Sequence, residues 1–222
     1  SMSNHHTNSK WLRNFKTTFV LSDIQKDVLI GTLLGDGYLR LSVSGKSARL
    51  QVYHSIHAKE YVLWKRNIFK NMILADPFYQ NVNRAIRFTT VSYPSLLEFQ
   101  QVFYKEGVKT ISKNIEEYLT SPLSLAVWFM DDGNGYLYSN PFRISTYAFG
   151  LEGNLLLQSC LKKNFNLDVS LKKDSKGYQI YIPVKNGSAS KFKEIIQEHI
   201  IPTMKYKLEH RSPVETYIGG TR

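Results

Sequence analysis

LIGTLLGDGYL, residues 29–39, and LAVWFMDDGNGYL, residues 125–137, are two copies of one short pattern. In each, an apolar run ends in Asp-Gly and continues into Tyr-Leu, the second copy carrying Asn134 and Gly135 as two extra residues. Asp36 and Asp132 hold the same place in the two copies. Repetition of this kind identifies a duplicated architecture more securely than any single motif. Ser22-Asp23-Ile24-Gln25 has the form of a capping box, with Ser22 accepting a backbone N–H and Gln25 reaching back. Ser121-Pro122 supplies the equivalent start for the second copy, because proline at the first helical position lacks only a donor that would be unpaired anyway. Both copies are therefore expected to be capped helices that end at the aspartate.

Working outward, Tyr38 to Val43, a Ser44-Gly45-Lys46 turn and the alternating run Arg49 to Tyr53 predict a hairpin, with Leu50 and Val52 facing the core and Arg49, Gln51 and Tyr53 opposite. Residues 58–72 predict a helix with Tyr61, Trp64, Ile68 and Phe69 on its apolar stripe. A second hairpin is expected around Asn83-Arg84, and a closing helix over 95–106. The second half repeats the order: strands over 135–139 and 142–147, a helix over 151–165, strands over 169–172 and 178–182, and a helix over 190–201. Lys109 to Thr120 is a polar connector without period. The expected divisions are an N-terminal extension at 1–21, a first half at 22–108, a linker at 109–120, a second half at 121–210 and an extended tail at 211–222.

The chain has 222 residues, 42% of them apolar, which suits globular structure and excludes disorder. Its 29 Lys and Arg against 18 Asp and Glu give a net charge of +11, and 14 Tyr, 12 Phe and 3 Trp are interleaved with the basic residues. That balance points to a polyanionic partner such as nucleic acid. Cys160 is the single cysteine, so an intrachain disulfide and a thiolate zinc cluster are excluded and a reducing compartment is expected. With no membrane-length apolar stretch and no signal peptide, the expected protein is soluble and intracellular. Residues 1–10 are polar and open with Ser before Met2, so His5 and His6 are given no metal role.

An aspartate at the C-terminal end of a helix meets the negative end of the helix dipole, at a cost of about 0.3–1 kcal/mol unless a cation offsets it. One such residue means little, and an isolated copy would read as a buried helix with an Asp-Gly turn. Two at equivalent ends of duplicated helices suggest shared cations. Oxygen ligands without His or Cys favour a hard ion such as Mg²⁺, and metal ions of this kind serve phosphodiester hydrolysis.

LIGTLLGDG, residues 29–37, and LAVWFMDDG, residues 125–133, resemble the LAGLIDADG homing endonucleases in their single-chain, two-motif form. The resemblance implies an α+β fold of two pseudo-symmetric αββαββα halves packed through the motif helices, with antiparallel sheets forming a DNA-binding saddle. It also assigns Asp36 and Asp132 as catalytic, metal-binding acids, with the carbonyls of Gly35 and Asp131 adding ligands. Two or more divalent ions are implied, Mn²⁺ or Ca²⁺ substituting for Mg²⁺ in binding. The small third residue of the motif is Gly31 in the first copy but Val127, beside Ala126, in the second. The Asp131-Asp132 doublet leaves the register of the second acid open.

Members of this family place a lysine after the last helix of each half, and Lys109 and Lys207 follow their acids at near-equal spacing. Lys205 shares the spacing of Lys109, whereas Lys207 is favoured by its YKL context. Such a lysine would stabilise charge developing on the phosphate. Strand residues Arg40, Arg49, Gln51, Arg84, Arg87, Arg143, Lys172 and Gln179 are the candidate DNA contacts, since Arg suits guanine edges and Gln adenine. His54 and Thr146 end matching strands and are candidates for organising water. The expected protein is a monomeric endonuclease of double-stranded DNA that cuts a long asymmetric target to leave 3′ overhangs, associated with intron homing. The rival readings are a maturase acting on intron RNA and a non-catalytic DNA-binding regulator.

Overall fold

A computed structural model describes residues 10–74, 79–80 and 85–213. The chain divides into two compact units, Ser1–Lys109 and Thr110–Arg222. In the first, helix α1 (Lys10–Thr18) precedes the motif helix α2 (Asp23–Leu34). The capping box forms: Ser22 accepts from the Gln25 N–H at 3.2 Å, and the Gln25 side chain accepts from the Ser22 N–H at 3.0 Å. Every residue from Val28 to Leu34 is buried, the pattern of an interior helix that is apolar on all sides.

Strands β1 (Tyr38–Leu41) and β2 (Ala48–Ser55) follow, then α3 (Lys59–Ile68), β3 (Tyr79–Gln80), β4 (Ala85–Thr89) and α4 (Leu97–Phe103). The sheet order is β1-β2-β4-β3, all antiparallel. Leu50 and Val52 face the core as their alternation predicts. The predicted closing helix stops early, because Tyr104–Lys105 (β5) pairs with Val108–Lys109 (β6). Glu106 and Gly107 both have positive φ, the geometry of a two-residue hairpin turn. The predicted helix over 58–72 likewise breaks, α3 giving way to a single tight turn at Lys70–Met72. The hairpin turn at Asn83-Arg84, and with it Arg84, lies outside the described residues, as does the tail beyond residue 213.

The second unit opens with Ile111, Ile115 and Leu119 buried along the connector. Motif helix α5 (Pro122–Asp132) is capped by the Ser121 hydroxyl, which accepts from the Leu123 N–H at 3.1 Å. Then come β7 (Gly133–Gly135), β8 (Phe142–Ile144), α6 (Gly150–Phe165), β9 (Ser170–Asp174), β10 (Gly177–Ile182) and α7 (Ser188–Ile196). The order β7-β8-β10-β9 is that of the first sheet, so the duplication extends to topology. β7 starts directly at the end of α5 and does not reach the predicted Ser139, since Tyr138 takes a positive φ in the turn that leads to β8. α7 also ends before the predicted limit, in a short turn at Gln197–His199. α1 falls in the stretch read as an extension. Its Phe15, together with Phe19 just beyond it, packs on Tyr93 at ring distances of 6.3 and 4.7 Å.

Thr146 was a candidate for organising water, and the structure corrects that reading. It is 1% exposed; its hydroxyl donates to Asn154 Oδ1 and accepts from the Ile180 N–H at 3.1 Å. The Asn154 amide in turn donates to the carbonyls of Thr146 (2.9 Å) and Gly150 (2.7 Å). This closed network ties the end of β8 to α6 and β10. Asn154→Ala strips buried carbonyls of their donor, so it is expected to destabilise by about 2–3 kcal/mol and to lower the melting temperature by roughly 5–10 °C. An unchanged thermal transition would contradict the network's structural role.

Candidate active site

α5 ends at Asp132 and α2 two residues before Asp36; in each half the acid is followed by a glycine that the packing requires. A β-carbon on Gly37 would overlap the Thr32 side chain, and one on Gly133 would overlap the Phe129 ring. The strand can therefore leave directly from the last helical turn, with the acid at the junction. Asp36 is exposed, its side chain 46% accessible, and its Oδ2 lies 3.7 Å from His54 Nδ1. The His54 ring stands at the end of β2, tilted against Tyr61 at 5.4 Å. Asp131 and Asp132 are half-buried.

The two lysines fold back onto the helix ends of their own units. Lys109, the last residue of β6, donates to Gly35 O at 2.9 Å and also to Gly37 O. Lys207, 9% exposed, donates to Met130 O at 2.7 Å, whereas Lys205 is exposed. In each half an ammonium meets the C-terminal carbonyls of a motif helix, where the dipole favours positive charge. Gly35 O, a carbonyl that the motif assigns to metal, thus also accepts from Lys109.

The second motif has two registers. Tyr38 pairs with Gln51, which places Gly37 opposite Val52, and Gly133 pairs with Ile144. Val52 and Ile144 are equivalent, buried and paired with Phe88 and Ile180. Strand register therefore aligns Asp36 with Asp132. By contrast, Lys109 binds the carbonyl just before Asp36, and Lys207 the carbonyl just before Asp131. The difference arises at the helix ends: the Gly37 N–H reaches back five residues to Thr32 O, the Gly133 N–H only four to Phe129 O.

On the outer face of the first sheet Arg40 stands opposite Arg49, Tyr38 opposite Gln51, and Tyr53 opposite Arg87. Like charges directly across strands are unfavourable without a counter-charge, and a polyanion supplies one. On the second sheet Arg143 lies opposite Tyr181, and Gln179 opposite Lys172. Here the cations rest on rings. Lys172 Nζ is 3.5 Å from the Tyr181 centroid and 5.8 Å from that of Tyr136, and the Arg143 guanidinium is 5.4 Å from the Tyr136 centroid. Each such contact stabilises by about 0.5–1 kcal/mol at an exposed site. Gln179 departs from expectation: it is only 6% exposed, so its amide is covered by neighbours and is not presented as a reader.

Residues 26–189 match the family described as the LAGLIDADG DNA endonuclease family. The chain belongs to that family. Among its relatives is the DNA endonuclease I-ChuI of Chlamydomonas applanata, 30% identical over 211 residues, which covers 85% of this chain and 95% of the relative. A cytochrome b mRNA maturase, bI2 of Debaryomyces hansenii, is 27% identical over 192 residues, covering 82% and 72% respectively. Among solved structures, the homing endonuclease I-WcaI bound to its DNA recognition sequence superposes with a TM-score of 0.80 at 28% identity, covering 93% of this chain and 95% of that one. The mixed helical and antiparallel architecture is that of the LAGLIDADG fold.

For this LAGLIDADG chain, sequence reasoning missed Tyr136 and Tyr181 as partners of the strand cations. Their places beside Arg143 and Lys172 follow from strand pairing, which no local pattern displays. Cys160 is buried and its thiol is pushed up to about 12 by that burial, so it is no nucleophile. Lys207→Met leaves Met130 O without its ammonium, at a cost of about 1–3 kcal/mol, whereas Lys205→Met at an exposed position is expected within about 0.5 kcal/mol of the parent. Thermal unfolding of the two variants checks this; equal melting temperatures would contradict the assignment of Lys207 as the tethered lysine.

Proposed function

We propose that the chain is a homing endonuclease that recognises a long asymmetric site in double-stranded DNA and hydrolyses one phosphodiester bond in each strand, leaving 3′ overhangs. One observation carries this reading: in both halves a buried motif helix leads into an acidic Asp-Gly junction, and a carbonyl at that helix end accepts a lysine ammonium. Repetition of an acid and a folded-back lysine in both halves of a duplicated scaffold supports a role for them in chemistry. The two halves differ in sequence on their sheet faces, which favours an asymmetric target and a monomer carrying both motifs.

In the first half Asp36 and the Gly35 carbonyl, which also accepts from Lys109, and in the second half Asp132 and the Asp131 carbonyl, would supply oxygen donors of the kind that suits Mg²⁺ or a related hard cation. When bound, such ions lower the pKa of attacking water and stabilise the leaving oxygen. The side chains of Lys109 and Lys207 would stabilise negative charge on the phosphate, and His54, whose Nδ1 lies 3.7 Å from Asp36 Oδ2, would organise water beside that acid. Arg40, Arg49, Gln51, Arg87, Arg143 and Lys172 meet the duplex, Arg40 and Arg49 relieving their mutual repulsion against it. Among the described residues no helix is long and apolar enough to cross a membrane.

A second reading, an intron RNA maturase, is favoured by the maturase relative. Retention of an acid in both motifs favours cleavage. Incubation with a randomised duplex library and Mg²⁺, followed by sequencing of the ends, is expected to enrich one site. The Asp36→Asn, Asp132→Asn double variant should lose at least about 1000-fold in rate, and no enrichment by the parent over that variant would sink the enzyme. Single Asp131→Asn and Asp132→Asn variants rank the doublet, with the larger loss expected at Asp132. Affinity for the selected duplex should fall linearly in log salt with a slope of about −0.9 per phosphate neutralised; a flat response would exclude the basic DNA face.

A further inference from the structure

The second sheet holds its outer-face cations in a way that bears on how DNA is discriminated, an inference resting on the reading that this face meets duplex DNA. The Tyr136 ring is the hub of the arrangement. It lies 5.9 Å from the Tyr181 ring in a T-shaped contact, 5.4 Å from the Arg143 guanidinium and 5.8 Å from Lys172 Nζ. Lys172 Nζ also lies over the Tyr181 ring, 3.5 Å from its centroid. Both rings are half-buried while Arg143 and Lys172 are exposed, so the cations lie on a partly fixed aromatic floor. Asp174, the last residue of β9 before the turn to β10, is engaged by the Tyr147 hydroxyl and by the Lys176 N–H at 2.8 Å, and its carboxyl is held below the usual range chiefly by the Tyr147 hydrogen bond.

Lysine and arginine on an unsupported strand sample many rotamers, and binding must freeze them. A cation that roams neutralises whichever phosphate is near and carries no sequence information. A cation already confined above a ring reaches fewer atoms, and less ordering remains to be done when the duplex arrives. We propose that Tyr136 is a specificity-determining positioning residue: its ring presets Arg143 and Lys172 so that the second half discriminates base pairs rather than merely attracting the backbone. Tyr136 acts through these two side chains and need not touch DNA itself.

The test is selection of bound duplexes from a randomised pool by the full chain, first to define the parent's site and then to profile Tyr136→Phe and Tyr136→Ala on every single-base substitution of it. Tyr136→Phe retains the ring and should reproduce the parent profile within about twofold. Tyr136→Ala should lower discrimination by about five- to tenfold over one contiguous block in one half of the site, with the other half unchanged and affinity for unrelated duplex within about threefold. Melting temperatures close to the parent's separate this from misfolding, and if Tyr136→Ala destabilises the sheet, Tyr136→Leu, which keeps an apolar side chain without the ring, should show the same loss of discrimination, a parental profile for it overturning the proposal. An alanine profile equal to the parent's, a loss spread evenly over both halves, or equal losses in Phe and Ala would each overturn the proposal. A parent that selects no sequence overturns site-specific recognition and this inference together, whereas a selecting parent with an unaltered alanine profile overturns this inference alone.

Discussion

An acid at the C-terminal end of a buried helix is electrostatically misplaced, and the two halves are organised around making that placement tolerable. The negative end of the dipole, the carboxylate and the terminal carbonyls all call for positive charge. Each half answers with one lysine drawn from beyond its own last α-helix, Lys109 onto Gly35 O and Lys207 onto Met130 O. Those lysines come from different local structures, a hairpin strand in one half and a short helical turn in the other. The position of the charge has been kept while the backbone that delivers it has diverged.

The same contrast between a kept position and a changed device recurs where β2 and β8 end. In the first half the place is taken by His54, whose ring rests against Tyr61 and whose Nδ1 faces Asp36. In the second it is taken by Thr146, locked to Asn154 and Ile180. One half thus has an imidazole beside its acid and the other a closed polar core, so the two acids sit in different surroundings despite a shared topology. The outer faces diverge similarly, with Arg40 opposing Arg49 in one and ring-supported cations in the other.

Much of the fold was legible because its decisive signals are local. The capping box at Ser22, the Ser-Pro start at Ser121 and the alternation from Arg49 to Tyr53 each depend on neighbours in sequence, and each formed as expected. The errors fall where a positive φ or long-range pairing decides: Glu106-Gly107 turned an expected helix end into a hairpin, and Tyr138 cut a strand short. At the site, repetition singled out Asp36 and Asp132 as candidates, and the family resemblance with the YKL context singled out Lys109 and Lys207. The burial of Gln179 and the engagement of Thr146 could not be read in this way, because each depends on which strand lies alongside and what packs over it.

The one-residue difference between the helix ends, Gly37 reaching to Thr32 and Gly133 to Phe129, also limits how parts can be exchanged between halves. A chimera aligned on the strands would graft Asp132 onto the place of Asp36, whereas one aligned on the lysine tether would graft Asp131, and the two products differ in length by a residue. Only a crossover inside the Asp-Gly junction leaves both alignments intact. The junction is therefore the seam along which the two copies could drift apart, and the narrow point at which recombination between them would have to be resolved.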